Sequence, residues 1–413
     1  MPALLLYSLT GIILIFQLLS PATARAEEAR LTLQHAESLA LSQAPWLAHH
    51  RSNAEAAAQR AIHENRLPDP QLVLGAINVP TDSWKLDQED MTMTMVGIRQ
   101  SFPPGDTLAL KGKRAQKERA REDARTDAEH RNLIRTVRQA WLELYFQEES
   151  LRRLQDSRHL LNQQLVAAEG RYRAASDVQQ AAIRARQAVA RVNEREPMLR
   201  AQIARTRAQL ARWIGTAATL PLPVALPALP VPSTDFDVAR HPEWLASEAM
   251  LDAAHLDADM ARENFKPAWM LDLSYGQRRP APDGTERSNM ATAMVTLDLP
   301  VFRAKRQNPR LAEKLAMENG ARFEAEDKRR ELEALYQSLR ADYEALAERA
   351  GIIDEQLLPA VRRESQAIIA GIARDQTDLR DAKIKLIDTE LELTRVRVDL
   401  AKTQAELLYL TGE

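Results

Sequence analysis

Few side chains in this sequence are arranged for chemistry. The histidines, His35, His49, His50, His63, His130, His159, His241 and His255, show no HExxH or related metal-binding spacing. The adjacent His49 and His50 read as a surface pair on a helix. Ser176-Asp177 has no neighbouring histidine to complete a nucleophilic set. Cysteine is absent, which excludes disulfides, thiol nucleophiles, thiolate-held zinc, iron–sulfur clusters and a lipid-bearing N-terminal cysteine. The expectation is a protein that is not an enzyme and has no resident cofactor. One run is more suggestive: Met91-Thr92-Met93-Thr94-Met95. In a strand, alternation puts Met91, Met93 and Met95 on one face, together with Arg99 if that side chain points the same way. Met290 and Met294 fall at matching places later in the chain. Thioethers suit Cu(I) or Ag(I), but they also serve as plain apolar filling of a sheet face, and spacing alone leaves both readings open.

The composition narrows the class. The chain has 413 residues, 28% charged and 45% hydrophobic, with Lys+Arg 56 against Asp+Glu 58 and a net charge of -2. No global basic field points to nucleic acid. Only 13 glycines argue against a Gly-rich phosphate-binding fold, and the abundance of Ala, Arg, Glu, Gln and Leu predicts long helices.

The N-terminus reads as a leader rather than as part of the fold. Leu4 to Leu19 is almost wholly apolar and is followed by Pro21 and by Ala24-Arg25-Ala26, a small-x-small site. Residues 1–26 are expected to be a signal peptide cleaved after Ala26. Beyond it, no run of about 18 apolar residues predicts a spanning helix.

The rest is a duplication. Trp46-Leu47-Ala48 recurs as Trp244-Leu245-Ala246, Glu64-Asn65 as Glu263-Asn264, and Gly215 as Gly412, at an offset of 197 to 199 residues. The predicted repeats are 27–215 and 241–413, separated by a linker over 216–240 with prolines at 221, 223, 227, 230 and 232. Each repeat reads as a helix (about 34–66 and 242–265), a β-hairpin (70–102 and 268–301), a long helix (106–174 and 304–370) and a returning helix (178–214 and 378–411). In the first long helix Leu133, Val137, Ala140, Leu144, Leu151, Leu154, Leu161, Leu165, Ala168 and Tyr172 form a coiled-coil seam interrupted by Gln147 and Arg158. In the second, Pro359 is expected to bend the helix.

The hairpins predict the environment. Trp269, Leu271, Leu273 and Tyr275 alternate with Met270, Asp272, Ser274 and Gly276, and Ala291, Ala293, Val295 and Leu297 with Thr292, Met294, Thr296 and Asp298. That is the dyad pattern of a lipid-facing barrel strand. Four strands cannot close a barrel, and open edges in lipid would leave backbone groups unpaired. The chain is therefore expected to oligomerise.

Together the leader, the duplicated helix–hairpin–long-helix halves and the two helical turns resemble the TolC family of outer-membrane efflux channels. The turns that carry the resemblance read Tyr172-Arg173-Ala174-Ala175-Ser176-Asp177-Val178 and Ala370-Gly371-Ile372-Ala373-Arg374-Asp375-Gln376-Thr377-Asp378-Leu379-Arg380-Asp381-Ala382. The resemblance implies a mixed α+β membrane protein: a homotrimer whose twelve-stranded β-barrel, four strands per protomer, continues into a long periplasmic α-helical coiled-coil barrel. It implies an exit duct in the outer membrane of a Gram-negative bacterium, docked on a periplasmic adaptor protein and an inner-membrane pump of the resistance-nodulation-division type. It places Asp378 and Asp381 at a channel constriction, Arg374 with Ser176 and Asp177 at a tip latch, and Ala174, Ala175, Gly371, Ile372 and Ala373 at the adaptor-docking tips. The compact length and missing lipidated cysteine look like the heavy-metal branch; multidrug efflux and type I secretion ducts share the fold. From a different class, a soluble periplasmic coiled-coil scaffold would keep the helices without lipid-facing strands.

Overall fold

The structure, a computed structural model, describes residues 30–174, 179–368 and 376–412, with the backbone alone for 376–380. The elements are α1 (Leu33–Ser42), α2 (Pro45–Glu64), β1 (Gln71–Ile77), β2 (Met93–Phe102), α3 (Thr107–Arg173), α4 (Gln179–Ile214), α5 (Pro242–Glu263), β3 (Ala268–Gln277), β4 (Met290–Asp298), α6 (Gln307–Ile352), α7 (Leu358–Ala367) and α8 (Gln376–Thr411). The predicted leader lies outside the described residues. Among those described, no helix is long and apolar enough to cross a membrane.

Local chemistry explains where elements start and stop. The single first helix expected over 34–66 is two helices. Thr32 caps α1 by accepting the His35 N–H at 3.2 Å, and Pro45 opens α2, where its missing N–H breaks no bond. In the second long helix the interruption falls just before Pro359. Ile353–Leu357 form one π-turn, and the Leu358 N–H bonds the Ile353 carbonyl five residues back. Widening the helix there accommodates a ring that an α-turn would press against the backbone. Gly215 and Gly412, equivalent in the two repeats, both end their helices with positive φ (59° and 84°). Glycine takes that conformation without steric cost.

The chain divides into two compact units. One comprises Pro45–Glu129 and Asp237–Ala334 and contains the sheet. Its helices pack through small residues: Ala54, Ala57, Ala115, Ala124, Ala249, Ala258, Ala261, Ala321 and Ala325 are buried. Ion pairs supplement them, with Arg114 bonded to Asp257 at 2.5 Å and Lys117 to Asp252 at 2.7 Å.

The other unit comprises the chain up to Ala44, His130–Phe236 and from Leu335 onward. Its core is built of larger side chains. Leu133, Val137, Trp141, Leu142 and Leu144 of α3 are buried, as are Leu210 and Ile214 of α4 and Val396, Val398, Leu407 and Leu408 of α8. The proline-rich linker is tied into this core. Tyr145 donates to the Val224 carbonyl at 2.9 Å, Gln404 to the Leu229 carbonyl at 3.0 Å, and Tyr336 to the Thr234 carbonyl at 3.0 Å. Prolines keep the linker extended, so its carbonyls have no internal partners and long side chains supply the donors. The two residues that interrupt the α3 seam are satisfied by α4. Gln147 accepts the buried Thr206 hydroxyl at 2.9 Å, and Arg158 pairs with Glu196 at 2.5 Å.

Candidate functional site

The four strands form one antiparallel sheet in the order β1-β2-β3-β4. The two hairpins join through β2 and β3, with Thr94 opposite Gln277 at one end and Phe102 opposite Trp269 at the other. β1 and β4 are the sheet's two edges.

Register fixes what each face carries. Leu72, Leu74, Val96, Ile98, Leu273, Tyr275, Val295 and Leu297 lie on one face and are all exposed, Leu74 at 69% and Ile98 at 58%. Alternation places Met93, Met95, Gly97 and Arg99 of β2 on the other face. Opposite them stand Gly276, Ser274 and Asp272 of β3, then Met290, Thr292 and Met294 of β4. Arg99 Nε donates to Asp272 Oδ1 at 2.5 Å across this face. So one face is mostly hydrocarbon, with Thr94, Gln277 and Gln100 towards its ends, and the other mixes thioethers, hydroxyls, glycines and one ion pair. Eight large apolar side chains exposed side by side on one face form the kind of patch that marks an interaction surface.

Met91 is not on that face. β2 begins at Met93. Ahead of it, Thr92 is fully buried and donates its hydroxyl to the Asn78 carbonyl at 2.6 Å, while the Asn78 amide donates to the Met91 carbonyl at 3.2 Å. These bonds turn the chain, and Met91 ends up 52% exposed in the loop.

The two loops at this end are locked together, which composition did not reveal. Arg287, 9% exposed at its side chain, donates to the carbonyls of Asp87 (2.9 Å) and Glu89 (3.3 Å) and to the Asp90 carboxylate (2.6 Å). Arg278 donates to the Asp90 carbonyl at 3.0 Å and the Ser288 carbonyl at 2.6 Å. Both arginines belong to the β3–β4 loop and both bind the β1–β2 loop. At the opposite end, Phe102 stacks on Trp269 with ring centroids 3.8 Å apart. There Gly105 has φ +52°, and a Cβ on it would run into the Glu263 carboxylate. Lys266 and the Asp106 N–H hydrogen-bond Glu263 and hold its carboxyl below the ordinary glutamate value.

The helical turns belong to the other unit. Near the first turn, Ala168, Ala182 and Ala185 form a small buried cluster and Arg186 pairs with Glu169 at 2.8 Å. Ala174 is described and exposed. Ala175, Ser176 and Asp177, like Gly371, Ile372, Ala373 and Arg374, lie outside the described residues. Asp378 lies on α8, of which the backbone is described there. Asp381 is exposed on α8 and lines a shallow groove with Ile384, Lys385 and Asp388.

No family model and no curated protein sequence matches the chain. Solved structures do. The outer membrane protein VceC of Vibrio cholerae is similar over 92% of this chain and 96% of its own, at a TM-score of 0.74 and 16% identity. CusC matches over 92% of each chain at 0.73 and 16% identity. The MtrE outer membrane channel of Neisseria gonorrhoeae, in its open state, covers 92% of this chain and 88% of its own at 0.68 and 19% identity. The chain has the fold of these outer-membrane channels. At such low identity the likeness is one of fold: four strands and long helices in one chain.

Proposed function

We propose that this chain is one protomer of an outer-membrane exit duct. Three copies pool four strands each into a closed twelve-stranded barrel, which continues into an α-helical tunnel through the periplasm of a Gram-negative bacterium. The observation that carries the reading is the sheet itself. It exposes a face whose middle is apolar, keeps its ion pair on the other face, and has two open edges. In lipid such edges demand partners. The neighbouring folds and the predicted leader support the same reading.

The duct is passive and has no catalytic step. Its inner tips, at Ala174, Ala175, Gly371, Ile372 and Ala373, dock on a periplasmic adaptor that links it to an inner-membrane pump of the resistance-nodulation-division type. Asp378 and Asp381, three residues apart on one helix, face the same side; in a threefold assembly they form two rings of negative charge that pass cations and resist anions. Arg374 bridges to Ser176 and Asp177 and holds the tip closed. The cargo is heavy-metal cations, a reading favoured by thioethers on the polar face of the sheet. The test is the full mature chain in detergent and in planar bilayers. The duct predicts heat-sensitive trimers on unboiled gels, recovery in the outer-membrane fraction, and cation-selective conductance. A water-soluble elongated monomer without conductance overturns it. Sensitivity of a deletion strain to metals, with unchanged sensitivity to drugs, tests the cargo.

A further inference from the structure

The loop end of the polar face gathers three thioethers around Gly276. Met95 stands directly opposite Gly276, and Gly276 directly opposite Met290. Directly paired residues are about 5 Å apart, so the two methionines flank one glycine from either side. The third comes from Met93, whose sulfur lies over Gly276 so closely that a Cβ there would overlap it. Gly276 is buried although it sits on a sheet face that bears no second layer, because side chains cover it. Only glycine leaves this space. We propose that Met93, Met95 and Met290 form a binding site for a soft monovalent cation, Cu(I) or Ag(I), above Gly276.

Two features favour ligation over simple filling. Neutral thioethers are poor ligands for hard divalent ions and good ones for soft d10 monovalent ions. The strands that present them are also held in place: Arg287 and Arg278 tie the loop preceding Met93 to the loop preceding Met290. The site therefore exists before an ion arrives. Ion binding does not depend on the duct reading. Its place in export does rest on that reading, with one site per protomer near the barrel's loop-side mouth.

The experiment uses Ag(I), which needs no reductant, on the detergent-solubilised full mature chain. Silver K-edge absorption of the wild type should show a sulfur first shell. Isothermal titration should show one tight ion per chain, weakened about tenfold or more in Met93→Leu/Met95→Leu/Met290→Leu, because leucine keeps the apolar volume and removes the ligand atoms. Replacing the exposed Met198 of α4 and Met250 of α5 with leucine should leave that binding unchanged. Equal affinity in wild type and triple variant overturns the site. If the triple variant does not assemble, the wild-type spectrum decides alone, and a nitrogen or oxygen shell overturns the site. Bilayer conductance separates the two readings. A conducting wild type without silver–sulfur ligation refutes the site and leaves the duct standing, and a non-conducting wild type with silver–sulfur ligation does the reverse.

Discussion

A polar side chain in a helix seam is stable only when its hydrogen bonds are made, and Gln147 shows how tightly that condition is met. Its amide oxygen accepts the Thr206 hydroxyl and its nitrogen donates to Glu143 at 3.2 Å. Removing one partner strands the other without water, whereas removing both leaves an apolar contact. Gln147→Ala should therefore lower stability by about 2 kcal/mol, and Gln147→Leu with Thr206→Val should stay within about 1 kcal/mol of wild type. Chemical denaturation of the two variants checks this. Glu143 extends the same network. Burial alone would raise its pKa, but Lys402 and Arg395 outweigh it and hold the carboxyl below the ordinary glutamate value. A depressed carboxyl contributes stability above its unfolded value and loses it as pH falls through the folded one. As pH falls from neutral through the ordinary glutamate range and below it, the wild type should lose more thermal stability than Glu143→Gln, which is less stable at neutral pH and flatter in acid. Parallel melting curves would show the charge to be idle.

At the scale of elements, the two loops at one end of the sheet hold each other in place. Arg287 ties three acceptors of the β1–β2 loop, but the Asp90 carboxylate it reaches is 85% exposed, so solvent weakens that bond. Arg287→Ala should raise the opening of residues 78–92 by roughly fivefold, about 1 kcal/mol, with the strands unchanged. Hydrogen exchange reads this directly; unaltered protection would mean that Asn78, Thr92 and Arg278 hold the loop without Arg287. These ties also mark what could be read in advance. The faces of β3 and β4 were legible because a two-residue period is written into Trp269 to Gly276 and again into Ala291 to Asp298. So was the α3 seam, because apolar spacing repeats over many turns. The start of β2 was not: Met-Thr alternation continues past the strand end, and the turn is set by Asn78 and Thr92, fourteen residues apart. Arg278, Arg287 and the linker's side-chain donors left no local signal, since their partners are carbonyls that any residue supplies. The break at Pro45 was readable from proline's missing N–H, but the helical pattern continues across it.

For the whole molecule, everything turns on which way the sheet's faces point. Val295 and Thr296 are neighbours on edge strand β4. Val295 stands opposite Leu271 among apolar side chains, and Thr296 opposite Met270 on the face with the Arg99–Asp272 pair. In a barrel formed by three copies, one of them meets acyl chains and the other water in the lumen. An arginine near the middle of the hydrocarbon costs about 2–4 kcal/mol, and one in a wet lumen costs little. Val295→Arg should therefore abolish or sharply reduce heat-sensitive trimers in the outer-membrane fraction. Thr296→Arg should assemble normally and lower cation conductance, because each copy adds a positive charge to the pore. In a soluble scaffold both residues would be exposed alike and both substitutions would be tolerated alike. Equal assembly of the two variants would thus remove the barrel, and the reverse order would turn the sheet inside out.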